Sequence, residues 1–178
     1  MQPETTELLF CVNGIPQGKA RPRFTKAGRS YTPANTRRYE ADVREAALKA
    51  AAIQGYTKAD KHAALAVSIT AWFPVPASWP KKKRAAAMSG DIYPTAKPDA
   101  DNIAKAILDA LNGIAFHDDK QVADCRIGKR YTFRDDDSPR IVVHIAPMKT
   151  FAQLRAEAVS ETSSPHDLDG DGHNGENV

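Results

Sequence analysis

Apolar residues recur along this chain with two different periods, and the switches between them delimit the elements. Leu8 to Val12 is a short apolar run stopped by Asn13-Gly14, which predicts a strand. Thr32-Pro33 offers a helix N-cap with proline at the first helical position. Tyr39, Val43, Ala46, Ala47, Ala50 and Ile53 then repeat at helical spacing as far as Gly55. From Leu65 to Phe73 the residues Leu65, Val67, Ile69, Ala71 and Phe73 share one face, a half-buried strand. A proline-punctuated stretch follows, with a short helix at Lys81 to Met88.

A second long helix is predicted from Asp101 to Asn112. Ile103, Ile107, Ala110 and Leu111 form its apolar stripe, with Asp101 as N-cap and Gly113 just past the end. Between Gln121 and Arg134 the odd positions read Ala123, Cys125, Ile127, Lys129, Tyr131 and Phe133, and the even ones are polar or small. That alternation turns at Arg134-Asp-Asp-Asp-Ser-Pro into a last strand at Arg140 to Ile145, which predicts a two-strand hairpin. A terminal helix at Phe151 to Val159 closes the series. The expected fold class is therefore α/β (α+β), a small mixed sheet with helices packed on it and no repeating βαβ wind. Residues 1–150 form the domain and 151–178 an acidic tail, without apolar periodicity from about Ser160 and expected to be disordered.

Composition narrows the class. With 178 residues and 42% hydrophobic content the chain can bury a proper core. No apolar run approaches the ~18 residues of a membrane span, and MQPETTELLF lacks the marks of a secretory signal, so a cytoplasmic protein is expected. Cys11 and Cys125 fall on different strands and read as reduced, buried thiols. The net charge of +3 conceals an asymmetry. Of 25 Lys and Arg and 22 Asp and Glu, residues after 150 hold one and six, leaving a body of net +8 and a tail of −5. A basic body suggests a polyanionic partner, although many domains are modestly basic.

The chemistry concentrates in KPDADNIAKAILDALNG, residues 97–113, and in the acid pair Asp118-Asp119 beyond it. A helix N-terminus explains one carboxylate at Asp101, but not Asp99 beside it. Two carboxylates one residue apart repel unless a cation lies between them. Mg²⁺, which takes oxygen ligands and commonly one or two carboxylates plus phosphate oxygens, suits such a pair. Bound there, it would activate water for phosphodiester cleavage. Asp119 is the favoured third ligand, because period two puts it in phase with the inward face of the following strand, whereas Asp118 points away. Its return to the helix start is nearly taut: the helix is roughly 16 Å long and Gly113 to Asp119 extends to about 20 Å at most. The other route is a second protomer. Lys105 lies at i+4 from Asp101 and i−4 from Asp109, which fits two surface ion pairs or a contact to the scissile phosphate equally well. Asp109 takes the ion-pair role. Lys129 interrupts an apolar strand face, either snorkelling at the sheet edge or reaching a substrate backbone. His117 reads as a loop residue.

The PDxDN…K…D-ALNG…DD-x-QV series, followed by a strand with IGKRY, resembles the RusA-like Holliday-junction resolvases of bacteria and their phages, and NGIPQGKARPRF and SWPKKKR resemble phage-type members. The resemblance spans roughly Leu8 to Met148. It implies a homodimeric, intertwined, Mg²⁺-dependent endonuclease (Mn²⁺ being a substitute) that nicks four-way DNA junctions symmetrically, a reaction of recombination and repair. It also implies catalytic and metal-binding roles for Asp99, Asp101 and Asp119, with Lys105 as the site lysine. Lys19, Arg21 and Arg23, together with Lys81, Lys82, Lys83, Arg84 and Lys129, would then contact DNA phosphates. Phe24, Tyr31 and Trp79 would either stack on opened bases or pack locally.

Two other classes compete. A D-x-D sugar-nucleotide transferase would use the acid pair, but the chain is short and lacks alternating βα units. A DNA-binding protein without catalysis would use the basic loops and leave the clustered carboxylates unexplained. In the tail, Asp167, Asp169, Asp171 and Gly172 match the opening of a calcium loop, but Val178 stands where its glutamate belongs.

Overall fold

In the computed structural model, residues 5–21, 23–24, 28–153 and 155 are described. The chain divides into two units, Met1–Met148 and Lys149–Val178. In the second, residues 151–153 and 155 are helical, with the Thr150 and Gln153 side chains exchanging bonds with each other's backbone N–H at 3.2 and 2.7 Å. The remainder of the expected terminal helix, the acidic tail and its calcium-like residues lie outside the described residues.

The first unit follows the order β1 (Leu8–Asn13), β2 (Arg23–Phe24), β3 (Ser30–Tyr31), α1 (Ala34–Gln54), β4 (Leu65–Phe73), α2 (Lys81–Met88), α3 (Ala100–Leu111), β5 (Val122–Tyr131) and β6 (Arg140–Pro147). A four-stranded mixed sheet has the order β1-β6-β4-β5, and β2 with β3 forms a separate two-stranded ribbon. β6 is antiparallel to both β1 and β4, whereas β5 runs parallel to β4. The expected hairpin of β5 and β6 does not form, because both strands pair with β4, one on each side. The side chains account for this. β6 carries Ile141, Val143 and Ile145, fully buried, and suits the middle of a sheet, whereas β5 carries Asp124, Arg126, Lys129 and Arg130 and suits an edge. A parallel β4–β5 pair requires a long crossover, and the two helices α2 and α3 supply it.

The core lies between one face of the sheet and the helices α1 and α3. Leu8, Phe10 and Val12, Leu65, Val67, Ile69 and Ala71, and the three β6 residues project from the sheet. Val43 and Ala47 of α1 and Ile103, Ala106, Ile107, Ala110 and Leu111 of α3 meet them. The last member of the α1 stripe, Ile53, is exposed. Helix α1 is capped by Pro33 rather than Thr32, with no side-chain cap bond, and ends at Gly55 in the left-handed region at φ +65°. Both cysteines are exposed free thiols, contrary to expectation, since Cys11 alternates to the solvent side of β1 and Cys125 lies on the edge strand. Among the described residues no helix is long and apolar enough to cross a membrane.

A partly buried ionic contact joins three segments. Lys19, in the loop after β1, pairs with Glu40 of α1, only 10% exposed, and with Asp109 of α3 at 3.0 Å. Its backbone N–H also donates to Asn102 O at 2.8 Å. Burial lowers the lysine pKa, but the hydrogen bonds and charges of Glu40 and Asp109 outweigh it and hold the pKa above its ordinary value. Replacing Lys19 with Met strands Glu40, so Lys19→Met is expected to cost about 1–3 kcal/mol, read as a lower urea midpoint at unchanged slope. Because the folded pKa is raised, the wild-type advantage is full below pH 10.5 and is lost as pH rises through the folded value, where the two stabilities converge.

Candidate metal and nucleic-acid site

Asp99 and Asp101 stand at the exposed start of α3. Asp99, not Asp101, occupies the N-cap, and it makes no side-chain cap bond, while Asp101 lies in the first turn. Among the described residues neither carboxylate forms an ion pair or hydrogen bond, so both are available to a ligand in the partial positive field of the helix end. Oxygen donors in this number suit a hard divalent cation that completes its shell with water and phosphate oxygens. Zinc, with its preference for nitrogen and sulfur, is a poor match.

The surroundings hold this helix start in place. Lys97-Pro98 is a cis peptide, and Gly18 packs so closely that an added Cβ would lie 2.9 Å from Pro98 Cβ and 3.1 Å from Asn102 Cβ. An open cleft of about 640 Å³ is lined by Gly18, Lys19, Arg21, Lys97, Asp99 and Asn102. Lys97 and Asn102 were not singled out from the sequence; their adjacency to the acid pair was the available signal. On the other side, the last residues of β5 act as a brace. Lys129 Nζ donates to Ala96 O at 2.5 Å and Pro98 O at 3.0 Å. The Arg130 guanidinium sits 4.7 Å over the Tyr93 ring, and Tyr131 meets Trp79 edge-on at 5.5 Å.

The basic residues divide by commitment. Lys19 is already neutralised by two carboxylates. Lys83 Nζ lies 3.8 Å from the Trp79 ring centre, and Arg84 is paired with Asp135. Trp79 is thus packed locally. Lys81 and Lys82 are exposed at the start of α2, and Tyr31 is exposed on β3. The side chains of Arg23 and Phe24 lie outside the described residues. Lys105 is exposed and pairs with neither Asp101 nor Asp109, since Asp109 turns to Lys19 instead.

Asp119 is not brought to the acid pair within one chain. It opens a 3-10 turn, Asp119–Gln121, before the first residue of β5, whereas Asp99 is braced by the far end of that strand. From Val122 to Lys129 a strand advances roughly 23 Å. Among the described residues no group of three or more His, Cys, Asp or Glu side chains converges. The phase argument for Asp119 also fails, because a register shift opposite Leu65/Ala66 leaves Ala123 unpaired and breaks the alternation. A different observation separates the two acids. Asp118 accepts from Lys120 N–H at 3.0 Å and pairs with Lys120 Nζ at 3.4 Å, and that backbone bond above all holds its carboxyl below the ordinary range. Asp119 is exposed, without such a backbone bond. Buried Gln121 pins the turn, bonding Asp60 O, Ala63 O and His117 N–H at 2.9, 3.2 and 2.8 Å. His117 itself is an exposed loop residue.

Residues 13–146 match the family described as Endodeoxyribonuclease RusA. The chain is also 33% identical over 141 residues, 78% of its length and 94% of the relative's, to "Uncharacterized protein YqaN" of Bacillus subtilis (strain 168). Since neither acid of the pair serves the fold through a bond, Asp99→Asn and Asp101→Asn are each expected to shift stability by less than about 1 kcal/mol, the scale of a helix-end charge. Gly18→Ala, which forces Pro98 and Asn102 aside, is expected to cost about 1–3 kcal/mol, all three being read by urea unfolding.

Proposed function

The chain belongs to the RusA endodeoxyribonuclease family, and from that premise we propose that it is a Mg²⁺-dependent Holliday-junction resolvase acting as a homodimer. The observation that carries this reading is the family match across residues 13–146, whose span includes two exposed carboxylates without partners among the described residues. Asp99 and Asp101 of one protomer hold the cation, with Mn²⁺ as a substitute. Asp119 joins them from the second protomer, because its own acid pair lies at the other end of β5. When bound, the cation supplies activation of a water and neutralisation of phosphate charge.

The protein's own residues do the rest. Lys105, on the helix face above Asp101 and free of ion pairs among the described residues, offsets negative charge at the scissile phosphate. Arg21 and Arg23, with Lys81 and Lys82 on α2, contact the flanking backbone; Lys83 and Arg84 support that surface through Trp79 and Asp135. Lys19 is assigned a structural role instead. Two equivalent sites related by a two-fold axis suit paired nicks in a four-way junction. The protein would work where DNA recombines or is repaired, in the cytoplasm of a bacterium or phage-infected cell.

Cleavage of a labelled synthetic four-way junction, against linear duplex, tests the activity. Paired nicks in the junction alone are expected, abolished by EDTA and by Asp101→Asn. Binding without cutting would favour a DNA-binding protein that lacks catalysis. Shared sites make a second, sharper prediction. Neither Asp101→Asn nor Asp119→Asn chains cut alone, but mixed and re-annealed they form dimers with one intact site and nick one strand. Absence of nicking in mixtures shown to contain heterodimer would rule out the shared site.

A further inference from the structure

We propose that Lys129 is a positioning residue: bonded to the carbonyls of Ala96 and Pro98, its ammonium holds the chain that enters Asp99, so that both carboxylates of the pair address one cation. The proposal rests on the metal-site reading above and gives Lys129 a task other than binding DNA.

Lys129 sits opposite Ala71 in the β4–β5 register, and Ala71 is fully buried. The lysine therefore projects from the core side of the sheet, where a charge is costly unless it finds acceptors. Its partners are two main-chain carbonyls rather than a carboxylate, with the Phe73 ring centre 5.7 Å away. Those carbonyls flank the cis bond and lead directly into Asp99.

The segment needs such an anchor. Among the described residues no backbone–backbone hydrogen bond holds residues 93–98. The close contact of Gly18 fixes Pro98 and Asn102 from one side, and the two Lys129 bonds fix it from the other. A methionine of similar length would leave both acceptors bare. The acid pair would remain present but lose its aim, because ligand groups hold a metal only when the bonds behind them fix their orientation. The positive charge behind Pro98 also offsets the repulsion of two acids one residue apart.

The test compares wild type, Lys129→Met and Lys129→Arg by three readouts: amide hydrogen exchange across 95–103 without metal, junction affinity in EDTA, and single-turnover cleavage against Mg²⁺ concentration. In Lys129→Met, exchange at 95–103 is expected to rise while β1 and β6 stay protected. Junction affinity should remain within about twofold. The Mg²⁺ concentration for half-maximal rate should increase roughly ten- to a hundredfold, as for the loss of other groups behind metal ligands. Lys129→Arg, which can still bridge two carbonyls, should recover most of that loss. Unchanged exchange and Mg²⁺ response would overturn the proposal. So would weakened junction affinity at unchanged Mg²⁺ response, which marks a phosphate contact. If Lys129→Met fails to fold, Lys129→Gln is judged by the same criteria. If wild type itself does not cut, the resolvase reading falls, and the exchange comparison still decides whether Lys129 holds this segment.

Discussion

The parallel pairing of β5 with β4 is the constraint on which the site depends. Parallel neighbours cannot be joined by a tight turn, so the chain must cross the sheet between them, and α2 and α3 make that crossing. Helix α3 consequently runs back against β5, with its start beside the strand's last residues. Lys129, Arg130 and Tyr131 then touch, in turn, the 96–98 segment, Tyr93 and Trp79. A single strand end thus organises the acid pair and the basic helix beside it. The same geometry sends Asp119 to the opposite end of β5.

Charge is distributed by a consistent division of labour. Several cations are neutralised locally: Lys19 by Glu40 and Asp109, Arg84 by Asp135, Arg140 by Asp137 at 2.6 Å. These contacts secure the loops around the core. Among the described residues, Asp99, Asp101 and Lys105 on the first two turns of α3, and Lys81 and Lys82 at the start of α2, form no ion pair. No lysine or arginine among the described residues pairs with either carboxylate, although Arg21 and Lys97 line the cleft beside Asp99.

Most elements were readable from local pattern, since burial on one face imposes a period that the residues must obey. Helix α2 and strand β4 fall where predicted. The errors have specific causes. Thr32 and Asp101 looked like better caps than their neighbours, but the helices begin at Ala34 and Ala100, and neither cap residue bonds with its side chain. Alternation that turns at Arg134-Asp-Asp-Asp-Ser-Pro predicts a β5–β6 hairpin, yet pairing follows apolar content, and β6 belongs between β1 and β4. The alternation that would orient Asp119 breaks at Ala123, an extra residue that no local pattern announces.

By itself, the sequence determined the alternation of strands and helices, the basic body, and the crowding of carboxylates at one helix start. These are properties of residues close in the chain, where a few ångströms of backbone leave little freedom. Only the tertiary structure decided which cations are spent and which are free, because ion pairs such as Lys19–Asp109 join residues far apart in sequence. It likewise decided that Lys129 faces the acidic segment and that Asp119 does not, since strand order and direction, rather than spacing along the chain, determine which ends of the elements meet.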